Sequence, residues 1–347
     1  MSRWGCKRRS RHRMTDIDPY DRATIDALIT GYRDHYARDT YRAVAIEQEF
    51  RLPIFNPNSK RVSTSKTYEY AGKIDLLVDD PSQPGKIWLM DHKTTSEDIE
   101  NPASSFWMRL RNATQPTHYQ LALKQLGFEI DGCVWDVIKK PSIRPRKITK
   151  EEKKELEMFS TYHGVLIDMG YVPDIEQPEH YAARVLSDIR ATPGKYFQRQ
   201  IVPRTNEDLY EYASELFGIS TRIRECETDG RFFKTGEPHS CTLYSRSCEY
   251  LPLCVREGST FDYVQSPGHS ELEDQGDGLK ILTNSSLSMF RQCERKYRYR
   301  YVDGLKPIYE SSSLGFGSAF HVAMNNFWAD RLAPESERIY MKGVTVE

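Results

Sequence analysis

The stretch GKIDLLVDDPSQPGKIWLMDHKTT, residues 72–95, limits the fold more than any other part of the chain. Two apolar runs of strand composition flank a turn rich in Pro and Gly. Each run carries a carboxylate where a strand normally wants another apolar residue: Asp75 in the first and Asp91 at the end of the second. Side chains in a strand alternate between faces, so Asp91 and Lys93 project to one side while His92 points away. Two neighbouring strands thus bring two carboxylates and a lysine to one end of a sheet.

The rest of the chain sets limits. Its 347 residues suffice for one large or two ordinary domains. Lys and Arg number 49 against 50 Asp and Glu, a net charge of −1, so the molecule as a whole offers nucleic acid no strong field. Any such binding must come from a local patch. The first fourteen residues, MSRWGCKRRSRHRM, carry six Lys or Arg with no apolar stretch after them to act as a secretory signal. We read residues 1–19 as a basic tail; a DNA-binding arm and a nuclear-type patch are the alternatives. No run is long enough to span a bilayer and the mean hydropathy is −0.67, so no membrane association and a cytoplasmic, intracellular location are expected. Seven cysteines in a reducing compartment point to core residues or metal ligands rather than disulfides.

Residues 20–37 place Ile25, Leu28, Ile29, Tyr32 and Tyr36 at helical spacing. Three strands follow at 43–55, 67–79 and 86–94, then a helix near 113–127 and a strand in GCVWDVIKK, 132–140. The order predicts an α/β fold, a small mixed sheet flanked by helices. Residues 150–225 read as mostly helical, with TKEEKKELE as a solvated face. From 257 to 279 the chain turns to Gly, Ser and acids, the composition of a flexible linker. Beyond it LTNSSLSMFRQCERKYRYRYVDGL and LGFGSAFHVAMNNFWADRL give two further helical patterns.

Two carboxylates at adjacent strand ends suit Mg²⁺ or Mn²⁺, which take oxygen ligands and keep waters. A lysine on the same face can orient a water or neutralise charge developing on a phosphate, which together describes metal-assisted phosphodiester hydrolysis. An isolated D-x-K triplet is most simply a surface ion pair. Here it has company: sixteen positions separate Asp75 from Asp91, and QPTHY then puts Gln115 and Tyr119 four apart on one helix face. In that order Asp75, Asp91 with Lys93, and Gln115 with Tyr119 resemble the RecB-like branch of the PD-(D/E)xK nuclease superfamily. The resemblance implies a restriction-endonuclease-like core in residues 20–256 and a Mg²⁺- or Mn²⁺-dependent deoxyribonuclease. An exonuclease of recombination, repair or phage DNA processing is the expected type. A non-catalytic, cluster-stapled DNA-binding or scaffolding module is the alternative.

Such nucleases usually begin with a helix S-x-x-x-F-x-x-C-P-x-K-Y and a G-x-x-x-H element whose histidine binds the metal. Both resemblances lie after the linker here: SSLSMFRQCERKYRYRY carries Cys293, with Glu294 where the pattern prefers proline, and FGSAFH carries Gly317 and His321. Residues 280–347 therefore look like the leading helices of the domain in circularly permuted order; a broken tandem of two domains is the rival. The resemblance implies Asp75, Asp91 and His321 as metal ligands, with Lys93, Gln115 and Tyr119 completing the catalytic set. CTLYSRSCEYLPLC sets Cys241, Cys248 and Cys254 at C-x6-C-x5-C, three thiolates suited to zinc or an iron-sulfur cluster. By the same resemblance Cys293 is the fourth ligand of a 4Fe-4S cluster. Cys6, Cys133 and Cys226 lie in no motif. Arg291, Arg295, Lys296, Arg298 and Arg300 interleave with Tyr297, Tyr299 and Tyr301, a mixture suited to single-stranded DNA or DNA ends.

Overall fold

The computed structural model describes residues 17–167, 170–243, 246–266, 272, 278–308 and 312–339. Most of the basic tail, Cys6, and residues 267–271 and 273–277 of the expected linker lie outside the described residues. Helix α1, Pro19–His35, starts where Asp18 accepts hydrogen bonds from the amides of Tyr20 and Asp21, with proline in the first turn. Strands β1 (Arg42–Phe55), β2 (Thr64–Asp79) and β3 (Ile87–Thr95) form an antiparallel meander. Helices α2 (Ser105–Arg111) and α3 (Gln115–Gln125) then carry the chain across to β4 (Gly132–Lys139), which lies parallel to β3.

Helices α4 (Lys150–Phe159) and α5 (Pro178–Ala191) precede β5, Phe197–Val202, which closes the far edge antiparallel to β4. Sequence reading assigned this stretch to a helical region, and the six-residue strand is a correction of detail. Helix α6 (Asn206–Asp229) follows; after it β6 (Lys280–Leu282) pairs parallel with β2, leading into α7 (Asn284–Gln292), α8 (Glu294–Tyr297) and α9 (Ser312–Ala329). The sheet order β1-β2-β3-β4-β5, with β6 on β2, and helices on both faces are consistent with a restriction-endonuclease-like α/β fold.

The two faces bury different helices. Tyr119 and Leu123 of α3 pack with Leu216 of α6 and Leu287 of α7 on one side. Leu28 and Tyr32 of α1, Val185 of α5, and Phe320 and Trp328 of α9 pack on the other. The C-terminal segment is therefore part of the sheet's packing and is also tied to its edge. The Ala43 amide donates to the Arg331 carbonyl at 2.9 Å, the Ala333 amide to Ala43 at 2.8 Å and the Ile339 amide to Val44 at 2.8 Å. Within the expected linker, Thr260–Asp262 make a 3-10 turn and Tyr263–Gln265 pair with Leu305–Pro307.

Candidate active site

The site arises where the pairing of β2 runs out. Strand β3 covers Leu76 to Asp79 of β2 and β6 covers Tyr68 to Tyr70. Among the described residues, Ala71–Asp75 have no strand partner on that side. Continuing the Leu76↔Met90 register by one residue sets Asp75 opposite Asp91, so the strands part where the carboxylates stand. The buried Ala71 carbonyl is satisfied by a side chain: His118 Nε2 donates to it at 3.2 Å, which leaves Nδ1 to accept from Tyr212 Oη at 2.8 Å. Burial holds this histidine down to about 4, so it stays neutral and structural. Gly72 keeps the chain close here, since a Cβ would come within 2.8 Å of the Phe50 ring and 3.0 Å of Tyr119.

Alternation puts Asp91 and Lys93 together. The Lys93 ammonium lies 2.5 Å from Asp91 Oδ2 and 5.1 Å from the Trp135 ring centre. Asp91 is 1 % exposed and neither carboxylate oxygen accepts an aligned hydrogen bond, so the Lys93 ammonium is the countercharge that offsets its burial. Asp75 is pushed up to about 6, first by burial and then by the Asp91 carboxylate, against the opposing pull of Lys93. The direction sets a pH dependence. A raised carboxyl favours the fold when protonated, so this group adds stability as pH falls through about 6. A divalent ion needs the ionised form, so its affinity is expected to fall over the same range, which Mn²⁺ titrations at pH 5 and pH 7 would measure.

Helix α3 presents Gln115 and Tyr119 one turn apart, with Gln115 Nε2 donating to Tyr119 Oη at 3.2 Å. The Tyr119 hydroxyl is pushed up by burial and then by Asp91, so it keeps its proton as a donor. From the other face α9 brings His321, whose Nδ1 lies 3.7 Å from Asp75 Oδ2. Burial and then His92 hold His321 down to about 4, leaving a neutral imidazole at pH 7. Gly317, one turn earlier, faces Thr94 with room for a Cβ at 3.8 Å.

In kind, the donor set suits a hard divalent cation: the buried Asp91 carboxylate paired with Lys93, a second carboxylate, Asp75, that it repels, and the neutral His321 imidazole. Among the described residues no group of three or more His, Cys, Asp or Glu side chains is placed to hold a metal ion.

Sequence reasoning missed the support behind the site. His92 Nδ1 donates to Asp136 Oδ2 at 2.8 Å, Tyr32 Oη donates to the same oxygen at 2.5 Å, and Arg199 Nε donates to Asp136 Oδ1 at 3.1 Å. Asp136 inside the apolar run GCVWDVIKK was the available signal, because a lone buried carboxylate demands partners.

The four motif cysteines border one cavity of about 200 Å³, with Arg295, Lys296 and Tyr299 also lining it. A short hairpin brings the Cys248 amide to the Cys241 carbonyl at 2.7 Å, Cys254 ends the turn Leu251–Cys254, and Cys293 caps α8. All four are free thiols. Cys133 and Cys226 are buried. The expected cationic strip is largely engaged within the fold. Arg291 pairs with Glu215 at 3.0 Å, Arg295 donates to the Phe232 carbonyl at 2.9 Å, Lys296 pairs with Glu249 at 3.3 Å and Arg298 with Asp303 at 3.3 Å. Tyr297 is buried core.

A family model described as the PD-(D/E)XK nuclease superfamily matches residues 8–255 and 281–342. The chain belongs to that superfamily. Its members are typically nucleases that usually use Mg²⁺ or Mn²⁺, and membership implies DNA as substrate. No curated protein and no solved structure matches the chain. Among the described residues no helix is long and apolar enough to cross a membrane.

Proposed function

We propose that the chain is a RecB-like, divalent-metal-dependent deoxyribonuclease acting as an exonuclease on single-stranded DNA or DNA ends. The observation that carries this is the buried Asp91 carboxylate, without aligned donors, beside Lys93 and opposite Asp75. In this reading Asp75, Asp91 and His321 hold the ion, which supplies Lewis-acid polarisation of the scissile phosphate and a water of lowered pKa. Lys93 neutralises charge growing on the phosphoryl oxygens. Gln115 and Tyr119 donate hydrogen bonds that orient the backbone of the DNA. His321 belongs to a segment that follows the core in sequence but docks on the same chain, which supports a circularly permuted nuclease domain acting in cis. Recombination, repair or phage DNA processing is the setting such an activity serves. End-labelled linear DNA should be degraded with Mg²⁺ or Mn²⁺ while covalently closed circular DNA survives. Equal cleavage of both would replace the exonuclease with an endonuclease.

In the same reading Cys241, Cys248, Cys254 and Cys293 hold a 4Fe-4S cluster. Support comes from the one cavity that all four border. Anaerobically purified protein is expected to be brown, and Cys293→Ser to bleach and destabilise it, because the cluster would join segments distant in sequence. Colourless protein with stoichiometric zinc would instead assign a structural zinc site.

A further inference from the structure

We propose that Glu47 and Asn325 are positioning residues for the carboxylate site, fixing α9 on the sheet so that His321 stands against Asp75. The proposal rests on the reading of Asp75 and His321 as metal-holding residues. Register supplies the first observation: Ile46 pairs with Leu76 and Gln48 with Ile74, so Glu47 falls opposite Asp75 on the neighbouring strand. Glu47, Asp75 and Asp91 thus form one row across β1, β2 and β3.

Helix geometry supplies the second. His321 and Asn325 are four residues apart, neighbours on one face of α9. Asn325 Nδ2 donates to Glu47 Oε1 at 3.0 Å, as His321 Nδ1 lies 3.7 Å from Asp75 Oδ2. An i, i+4 pair on the helix therefore meets a cross-strand pair on the sheet. The second Glu47 oxygen is held by Lys73, so the carboxylate is gripped from helix and strand together.

Backbone conformation supplies the third. Glu47 has a φ of 54°, a left-handed value inside a strand. A non-glycine residue keeps such a conformation only where its surroundings enforce it, and these outliers concentrate at functional sites. The rest of α9 is anchored by Phe320, Met324 and Trp328 in an apolar cluster. That apolar stripe turns α9 toward the sheet, and the Asn325–Glu47 hydrogen bond adds a directional contact that fixes its rotation beside Asp75.

The test is Mn²⁺ binding to DNA-free protein, read from the paramagnetic resonance of free Mn²⁺, with thermal midpoints alongside. Loss of a partner that orients a metal ligand weakens binding by about 10–100-fold. Asn325→Ala should therefore raise the apparent Kd at least about tenfold with an unchanged midpoint, while Asp75→Ala abolishes binding. Wild-type affinity in Asn325→Ala beside lost binding in Asp75→Ala would overturn the positioning role alone. Wild-type affinity in Asp75→Ala would overturn the metal-site reading and the proposal with it. Should Asn325→Ala not fold, Asn325→Asp must still lose about tenfold, since it sets two carboxylates face to face. Combining it with Glu47→Gln reverses donor and acceptor and must recover affinity; failure to recover would overturn the proposal.

Discussion

Alanine at Asp136 is expected to cost about 3–5 kcal/mol of stability, the range for removing one partner of a buried ion pair. Asp136 is fully buried and binds His92, Tyr32 and Arg199 at once. Its removal would take a carboxylate partner from the Arg199 guanidinium, 14 % exposed, and leave it with Asp39 at 2.6 Å. It would also release His92, whose ring lies between Asp136 and Trp328, 6.3 Å from the latter. Burial alone would raise the Asp136 carboxyl; Arg199 and then the His92 hydrogen bond outweigh it and hold it at about 2. A depressed carboxylate stabilises the fold above its unfolded value of about 3.9 and loses that contribution as pH falls toward 2. Urea titrations followed by circular dichroism at pH 7 and pH 3 would measure both effects. An unchanged midpoint in Asp136→Ala would show that the network does not hold the sheet.

Asp75→Ala, Asp91→Ala and Lys93→Ala are each expected to lower DNA cleavage by roughly 10³-fold or more. Losing the ion or the charge that neutralises the phosphate removes several kcal/mol of transition-state stabilisation, and each 1.36 kcal/mol is tenfold. DNA binding should survive, because phosphate contacts outside the carboxylate pair are untouched. Gel-shift affinity and initial cleavage rates on the same preparations separate the two. Gln115→Ala and Tyr119→Phe should cost less, as groups that position the substrate. Loss of binding and cleavage together in Asp91→Ala would mark a folding defect instead.

Much of the fold was legible because its strands announce themselves. Strands β1 to β4 carry alternating or continuous apolar runs, and their observed limits differ from the expected ones by at most three residues. Strand β5 was not legible: its six residues FQRQIV sit between two long helical patterns, and the strand is recognisable only as the partner of β4. Strand β6, three residues long, offers too little sequence for a period to show.

The site divides in the same way. Asp91 and Lys93 come together by alternation alone, and Gln115 and Tyr119 by helical spacing, both local rules. The meeting of His321 with Asp75 spans 246 positions and depends on docking α9, which only a resemblance suggested. Asp136 and Arg199, 63 residues apart, and Glu47 with Asn325, 278 apart, follow no local rule. Arg291 to Arg298 read as a DNA-facing strip because sequence cannot show that Glu215, Glu249, Asp303 and the Phe232 carbonyl claim them.

The most direct measurement is hydrolysis of labelled linear DNA by the purified wild-type chain and by Asp91→Ala, each with Mg²⁺, with Mn²⁺ and with EDTA. The account predicts cleavage by the wild type with either metal, none in EDTA, and none above background in Asp91→Ala under any condition. Wild-type cleavage that persists in EDTA, or full activity in Asp91→Ala, would contradict it.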